Sequence, residues 1–288
     1  MISLEANAKL NLSLELLNVE RDDGYHEIST VMQTISLSDH ITMEESSDIY
    51  VTCDLNGWDP EKSLISRAIV LMQKEIATDK GVHIHIAKNI PLSSGLGGDS
   101  SDAAAVIVGL NQLWDGRIGN RELHHIASRL GSDMPFFIDG GTQWSRGRGE
   151  KLTPLSYPGK IKAVVVYPDV QIPSGKTKAL YGEVQKCDLT NGDIVNSLQW
   201  KINTNGNIVD AEKFNVFTGI GKTVYRGIDK AVMEFEVIAG RQILLSGAGP
   251  ALFAIFGEDE DVSSVVKRLK TKGYTVWDCV FTDRRYSM

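Results

Sequence analysis

Hydrophobic and polar residues alternate most regularly near the start of the chain, where Leu10, Leu12, Leu14 and Leu16 interleave with Asn11, Ser13 and Glu15. A period of two predicts a half-buried strand. Asp22-Asp23-Gly24 is a turn signal, and a second strand is expected over residues 28–37. Val82, Ile84 and Ile86 alternate again ahead of a glycine-rich loop. Helical patterns cover residues 63–77, 102–114 and 121–130. The last of these is expected to have Asn120 as its N-cap and Gly131 in the C′ place. Around Pro154, Pro158 and Gly159 the pattern breaks, dividing the chain into lobes 1–156 and 157–288. The second lobe opens with a strand over residues 163–167 and then reads as mostly helical up to Gly240. A strand, turn and strand are expected at 242–246, 247–250 and 251–256. A helix over 259–272 and a strand over 274–281 close the chain. The fold class is therefore α+β, with two lobes.

Composition narrows the function classes. The 288 residues are 42% hydrophobic and 23% charged, as in globular domains. A net charge of −7 argues against a nucleic-acid or anionic-membrane partner, since those select basic surfaces. The longest apolar runs, 163–167 and 251–256, are far short of the roughly 18 residues of a spanning helix. Nothing at the start of the sequence reads as a secretion signal, and Cys53, Cys187 and Cys279 form no metal-like pair. A cytoplasmic protein with reduced thiols is expected.

The residues richest in chemistry are Pro91, Leu92, Ser93, Ser94, Gly95, Leu96, Gly97, Gly98, Asp99, Ser100 and Ser101, followed by a helical run of alanines. Glycines let the backbone approach an anion, and the free N–H groups of a first helical turn point at it. No Gly-Lys-Ser/Thr ends this loop, so it is not a Walker A loop. The region after Ala105 reads as helix, loop, helix, so the loop is not a dinucleotide fingerprint either. A nucleotide site of another architecture is expected.

Elsewhere each candidate has a functional and a structural reading. Asp133 falls just past a helix C-terminus and ahead of an apolar run. A partly desolvated carboxylate there suits a general base, while the alternative is a turn aspartate capping its own backbone. Lys9 lies on the face of the first strand opposite its leucines, beside Asn11. It could orient a phosphate, or simply be solvated. Tyr25 and His26 close a turn and could stack on a base. His83 and His85 share one strand face and read as solvent-facing; the neighbours His124 and His125 diverge on a helix. Arg146 and Arg148 make a basic loop that could reach an anion, and Ser246-Gly247-Ala248-Gly249-Pro250 is a second glycine turn.

Taken together, the chain resembles the GHMP kinase superfamily. Three motifs stand in the superfamily's order: an N-terminal strand motif, a Pro-x-x-x-Gly-Leu-Gly-Gly-x-Ser-Ser loop and a late Gly-x-Gly turn. Ala8-Lys9-Leu10-Asn11-Leu12, Asp23-Gly24-Tyr25-His26 and Gly131-Ser132-Asp133-Met134-Pro135-Phe136-Phe137 are similar to the branch acting on a cytidine diphosphate-linked methylerythritol. Gly147-Arg148-Gly149-Glu150 and residues 177–181 also fit. The resemblance implies an N-terminal ribosomal-protein-S5-like lobe and a C-terminal ferredoxin-like lobe. It implies a small-molecule kinase with ATP on residues 91–101 and Mg²⁺ as counter-charge. Asp133 would take or orient the hydroxyl proton, and Lys9 would hold Asp133 ionised. Asn11, Tyr25 and His26 would bind the cytidine substrate. Two positions depart from the pattern. Asp99 replaces a glycine, and is expected to turn from the phosphates, cap the following helix or meet Mg²⁺. The late turn is worded as in homoserine kinases.

Overall fold

The computed structural model describes residues 1–19 and 21–283, so residues 284–288 of the expected second lobe lie outside the described residues. The chain runs through β1 (Ile2–Leu17), β2 (Glu27–Ser46), β3 (Ile49–Cys53), α1 (Leu64–Ile76), β4 (Gly81–Ala87) and α2 (Gly98–Leu113). It continues through α3 (Asn120–Ser128), α4 (Met134–Asp139), β5 (Thr142–Gly147), β6 (Lys151–Pro154) and β7 (Lys162–Tyr167). Next come α5 (Lys176–Gly182), β8 (Leu189–Thr190), α6 (Asp193–Asn203), α7 (Val216–Val224) and α8 (Ile228–Ala239). Then β9 (Leu244–Leu245), β10 (Leu252–Phe256), α9 (Ser263–Thr271) and β11 (Thr275–Val280) complete it.

Two sheets stack between two layers of helices. The first has the order β3-β4-β2-β1-β8, with β5 and β6 continuing from β2. The second is antiparallel in the order β11-β7-β10-β9. Numbered within that sheet, this is 4-1-3-2, the split βαβ arrangement of ferredoxin-like folds. One apolar cluster lies between the first sheet and α1–α4, and includes Met32, Ile41, Ile84 and Phe136. A second lies between the sheets, where Leu10, Leu12 and Ile35 meet Val165 and Phe253. A third joins Val164, Val166 and Leu252 to α7 and α8 through Phe217 and Phe235. The unbroken apolar run of β7 thus reflects burial on both faces.

Several expected boundaries move, for local reasons. β2 continues past residue 37 to Ser46, because its second half pairs with β4 from His40 to Ser46. Its polar Asp39 is buried, accepting from the N–H groups of Asn89 (2.6 Å) and Ile90 (2.8 Å). α2 starts at Gly98, inside the glycine loop, four residues earlier than the alanine run suggests. α3 starts at Asn120 itself with Gly119 as N-cap, and Asn120 donates its amide to Asp139 instead (3.0 Å). Its C-cap is Arg129, not a glycine-led turn at 131. The closing helix starts at Ser263 rather than 259. Asp261 and Glu260 accept from the backbone N–H groups of Ser263 (2.9 Å) and Gly257 (2.5 Å), which holds a turn there. Among the described residues no helix is long and apolar enough to cross a membrane.

Candidate active site

β1 is buried on both faces, and this overturns the solvated reading of Lys9. The leucines face the apolar clusters, while Lys9, Asn11, Ser13 and Glu15 are buried on the other side. Register shifts against β2 fall between Asn7 and Lys9 and between Asn11 and Ser13, on either side of the Lys9–Asn11 pair. Such bulges re-aim side chains. The Lys9 ammonium donates to Asn11 Oδ1 and to the carbonyl of Gly95 (2.8 Å). Asn11 in turn donates to Thr30 Oγ1 (2.9 Å), which fixes its amide. Burial pulls the Lys9 ammonium down to about 8, with the Asp133 carboxylate acting in the opposite sense.

The glycine-rich loop is held in a conformation that its sequence alone explains only in part. Gly95 has φ +87°, and a Cβ there would lie 2.2 Å from the carbonyl oxygen of Ser246. Gly97, at φ +79°, is the N-cap of α2 and packs against the Phe137 ring. Both glycines are therefore required by backbone angle and by space. Pro91, Ser93, Ser94, Gly95, Gly97, Gly98, Asp99 and Ser100 line the cleft above β1. Leu92, Leu96 and Ser101 do not: Leu96 is in the core, Leu92 is exposed, and Ser101 donates inward to the carbonyl of Asn7 (2.7 Å). Beneath the loop, buried Lys88 joins Asp39 (2.5 Å) to Asp102 (2.7 Å), tying its two ends together. Asp99 stands in the first turn of α2, its side chain 58% exposed and 3.9 Å from Lys88 Nζ.

Asp133 is the N-cap residue of α4, a short helix not anticipated from the sequence. Pro135 suits a first helical turn, and the apolar Met134–Phe137 run is buried against α2. Asp133 makes no side-chain cap, which removes the backbone-capping alternative. It is exposed in the cleft rather than desolvated. The Gly147–Glu150 turn closes over it: a Cβ on Gly149 would lie 3.0 Å from Asp133 Oδ1.

At the far end stands the turn between β1 and β2. Arg21 pairs with Asp23 (2.6 Å) and Glu27, Asp23 accepts from the N–H of Tyr25 (3.1 Å), and Glu27 accepts from the N–H of Gly147 (2.9 Å). This network presents Tyr25 and His26 to the cleft. Arg148 lies 5.0 Å from the Tyr25 ring centroid, and His26 is stacked on Tyr181 at 5.7 Å and 21°. Arg148 thus reaches the site, whereas Arg146 lies over Trp144. His83 and His85 are solvent-facing, as expected.

Sequence reasoning missed Lys176 and Asn215. Lys176 donates to the carbonyls of Ser93 (2.5 Å) and Gly249, and Asn215 donates to those of Leu245 (2.7 Å) and Gly247 (2.9 Å). Neither belongs to a motif; the second glycine turn was the signal, since its carbonyls needed partners. That turn packs directly on the first, with Ser246 Oγ donating to the carbonyl of Gly95 (3.1 Å). The cleft has a volume of about 1190 Å³ and gathers Lys9, Asn11, Tyr25, His26, Asp133 and the glycine loop.

Residues 63–141 match the GHMP kinases N terminal domain. A protein of Dehalococcoides mccartyi named 4-diphosphocytidyl-2-C-methyl-D-erythritol kinase is 38% identical over 277 residues, 96% of this chain and 97% of that relative. The chain belongs to this kinase family. A Prochlorococcus marinus relative of the same name is 33% identical, covering 98% of this chain and 96% of its own. A crystal structure of 4-(cytidine 5'-diphospho)-2C-methyl-D-erythritol kinase superposes with a TM-score of 0.82 at 28% identity, over 97% of this chain and 99% of that one. The GHMP kinase fold expected from the motifs is the fold that this chain shares with that crystal structure.

Proposed function

We propose that the chain transfers the γ-phosphoryl group of ATP to the 2-hydroxyl of 4-diphosphocytidyl-2-C-methyl-D-erythritol, a step of isoprenoid precursor synthesis. The observation that carries this reading is the meeting of Lys9, Asp133, the glycine loop and the Tyr25–His26 turn in one cleft. The triphosphate lies along the loop, where Gly97 ends in left-handed backbone and the first N–H groups of α2 are free. Asp133 takes or orients the proton of the acceptor hydroxyl. Lys9, whose charge that carboxylate supports, faces the transferring group. Asn11, bonded to Lys9, contacts the acceptor substrate, and Tyr25 and His26 hold its cytidine end. Phosphoryl transfer asks the protein mainly for positioning and charge neutralisation, which fixed lysines and N–H groups provide.

Mg²⁺ fits this site as an ion carried by the nucleotide. No group of three metal-ligating side chains is found among the described residues, and Mg²⁺ commonly binds through one or two carboxylates plus substrate phosphates. Asp99 and Asp133 are the carboxylates of the cleft. When bound, the ion neutralises phosphate charge. An ATP donor and three unpaired thiols fit action in the cytoplasm.

The test is ADP release by the purified protein with ATP, Mg²⁺ and the cytidine acceptor, with homoserine and mevalonate run alongside. Turnover with the cytidine acceptor alone is expected. Turnover with only another acceptor would remove the cytosine roles of Tyr25 and His26.

A further inference from the structure

Lys176 is the first residue of α5, where a cation gains nothing from the helix dipole. Its ammonium is tied to the carbonyls of Ser93 and Gly249, one from each glycine turn. Among the described residues it has no carboxylate partner, and burial and the nearby Lys9 both act against its charge. A lysine that served only to join two turns would need no site beside another lysine. An ammonium has three donors. Lys176 uses two on carbonyls and lines the cleft, which leaves one for a ligand. Lys9 repeats this arrangement: one donor on Asn11, one on the carbonyl of Gly95, two residues along the same loop. The Asp133 carboxylate supports the charge of Lys9, whereas that of Lys176 has no such support among the described residues, and an anion on the loop would supply it.

Building on the kinase reading, we propose that Lys176 is a second cation for the phosphoryl donor, giving its remaining N–H to the β- or γ-phosphate while its carbonyl bonds keep the two glycine turns together. It acts on the phosphate tail of a nucleoside triphosphate and leaves the base and ribose to other residues. This assigns binding of the transferred group to a side chain from the second half of the chain.

The test is calorimetric titration of ATP and of AMP into the wild type and Lys176→Met, Lys176→Gln and Lys176→Arg. Removing a charge-assisted hydrogen bond should raise the Kd for ATP roughly tenfold or more in the Met and Gln variants. AMP, which lacks the outer phosphates, should bind within about twofold of wild type in both. The Arg variant should recover most of the ATP affinity. Lys176→Gln retains a donor for one loop carbonyl, so it carries the test if the Met variant does not fold. Unchanged ATP affinity in the Gln variant would overturn the proposal. So would parallel loss of ATP and AMP affinity, which would mean that the lysine only holds the turns. Failure of the kinase reading would show separately, as no ADP release by the wild type with the cytidine acceptor.

Discussion

At the end of the cleft proposed to hold the phosphates Lys9 is 3% exposed and bonded to the glycine loop, whereas at the hairpin end Tyr25 is 59% exposed and meets Arg148 only face-on. The first end is made of backbone and of side chains locked by neighbours: Gly95 against Ser246, Gly97 against Phe137, Asn11 against Thr30. The second is made of rings on a turn, stiffened from behind by Arg21, Asp23 and Glu27. The difference follows what the proposed reaction asks of each end. A transferring phosphoryl group gains most from donors already in place, because no reorganisation is then needed during the reaction. A base and its ribose can be gripped by surfaces that adjust to them.

The strongest way to sharpen this contrast is Asp133→Ala. If the carboxylate acts at the acceptor hydroxyl, kcat should fall roughly 10²- to 10⁴-fold while the Kd for ATP stays within about twofold. A parallel loss of ATP affinity would place Asp133 in the phosphate end instead. Gly95→Ala attacks that end directly. Its φ of +87° and the 2.2 Å approach to Ser246 leave no room for a methyl group. Strain of this kind should weaken ATP binding roughly 10- to 100-fold, read by titration. An unchanged affinity would show that the loop is not as rigid as its contacts suggest.

At the other end, His26→Ala removes one ring of the stack with Tyr181. The KM for the cytidine acceptor should rise roughly 3- to 10-fold with little change in kcat. Unaltered KM would take His26 out of recognition. The smallest effect is one of pH. Lys9 and Lys176 are both drawn down to about 8, chiefly by burial. If their cationic forms bind the anion as proposed, kcat/KM for ATP should be highest below that value and decline as pH rises through it. An inflection only near the ordinary lysine value of about 10.4 would contradict the burial of both groups.

Much of this was legible in the sequence, though unevenly. The leucine alternation of β1, the register-setting turn at Asp22–Gly24 and the β7 and β10 strands all stand where hydrophobic period places them. The α4 helix was not legible, because its six residues carry no helical period of their own and owe their burial to α2. Asn120 shows the limit of local rules: a good capping residue gave its amide to Asp139, nineteen positions away, and left the cap to glycine. Among site residues, those within compact motifs could be named in advance. Lys176 and Asn215 could not, since their partners are carbonyls from other segments.

By itself the sequence determined the chemistry on offer and its order: a glycine-rich anion loop, a lone carboxylate before an apolar run, a lysine on a strand and an aromatic turn. Backbone preference and hydrophobic period are local properties, so they can be read along the chain. Only the tertiary structure decided which of these groups are buried, which face one another and with what charge. Lys9 reaches the carbonyl of Gly95 across 86 positions, and Lys176 reaches that of Gly249 across 73. Burial and pairing depend on everything packed around a group, and for these lysines that surrounding comes almost entirely from distant parts of the chain.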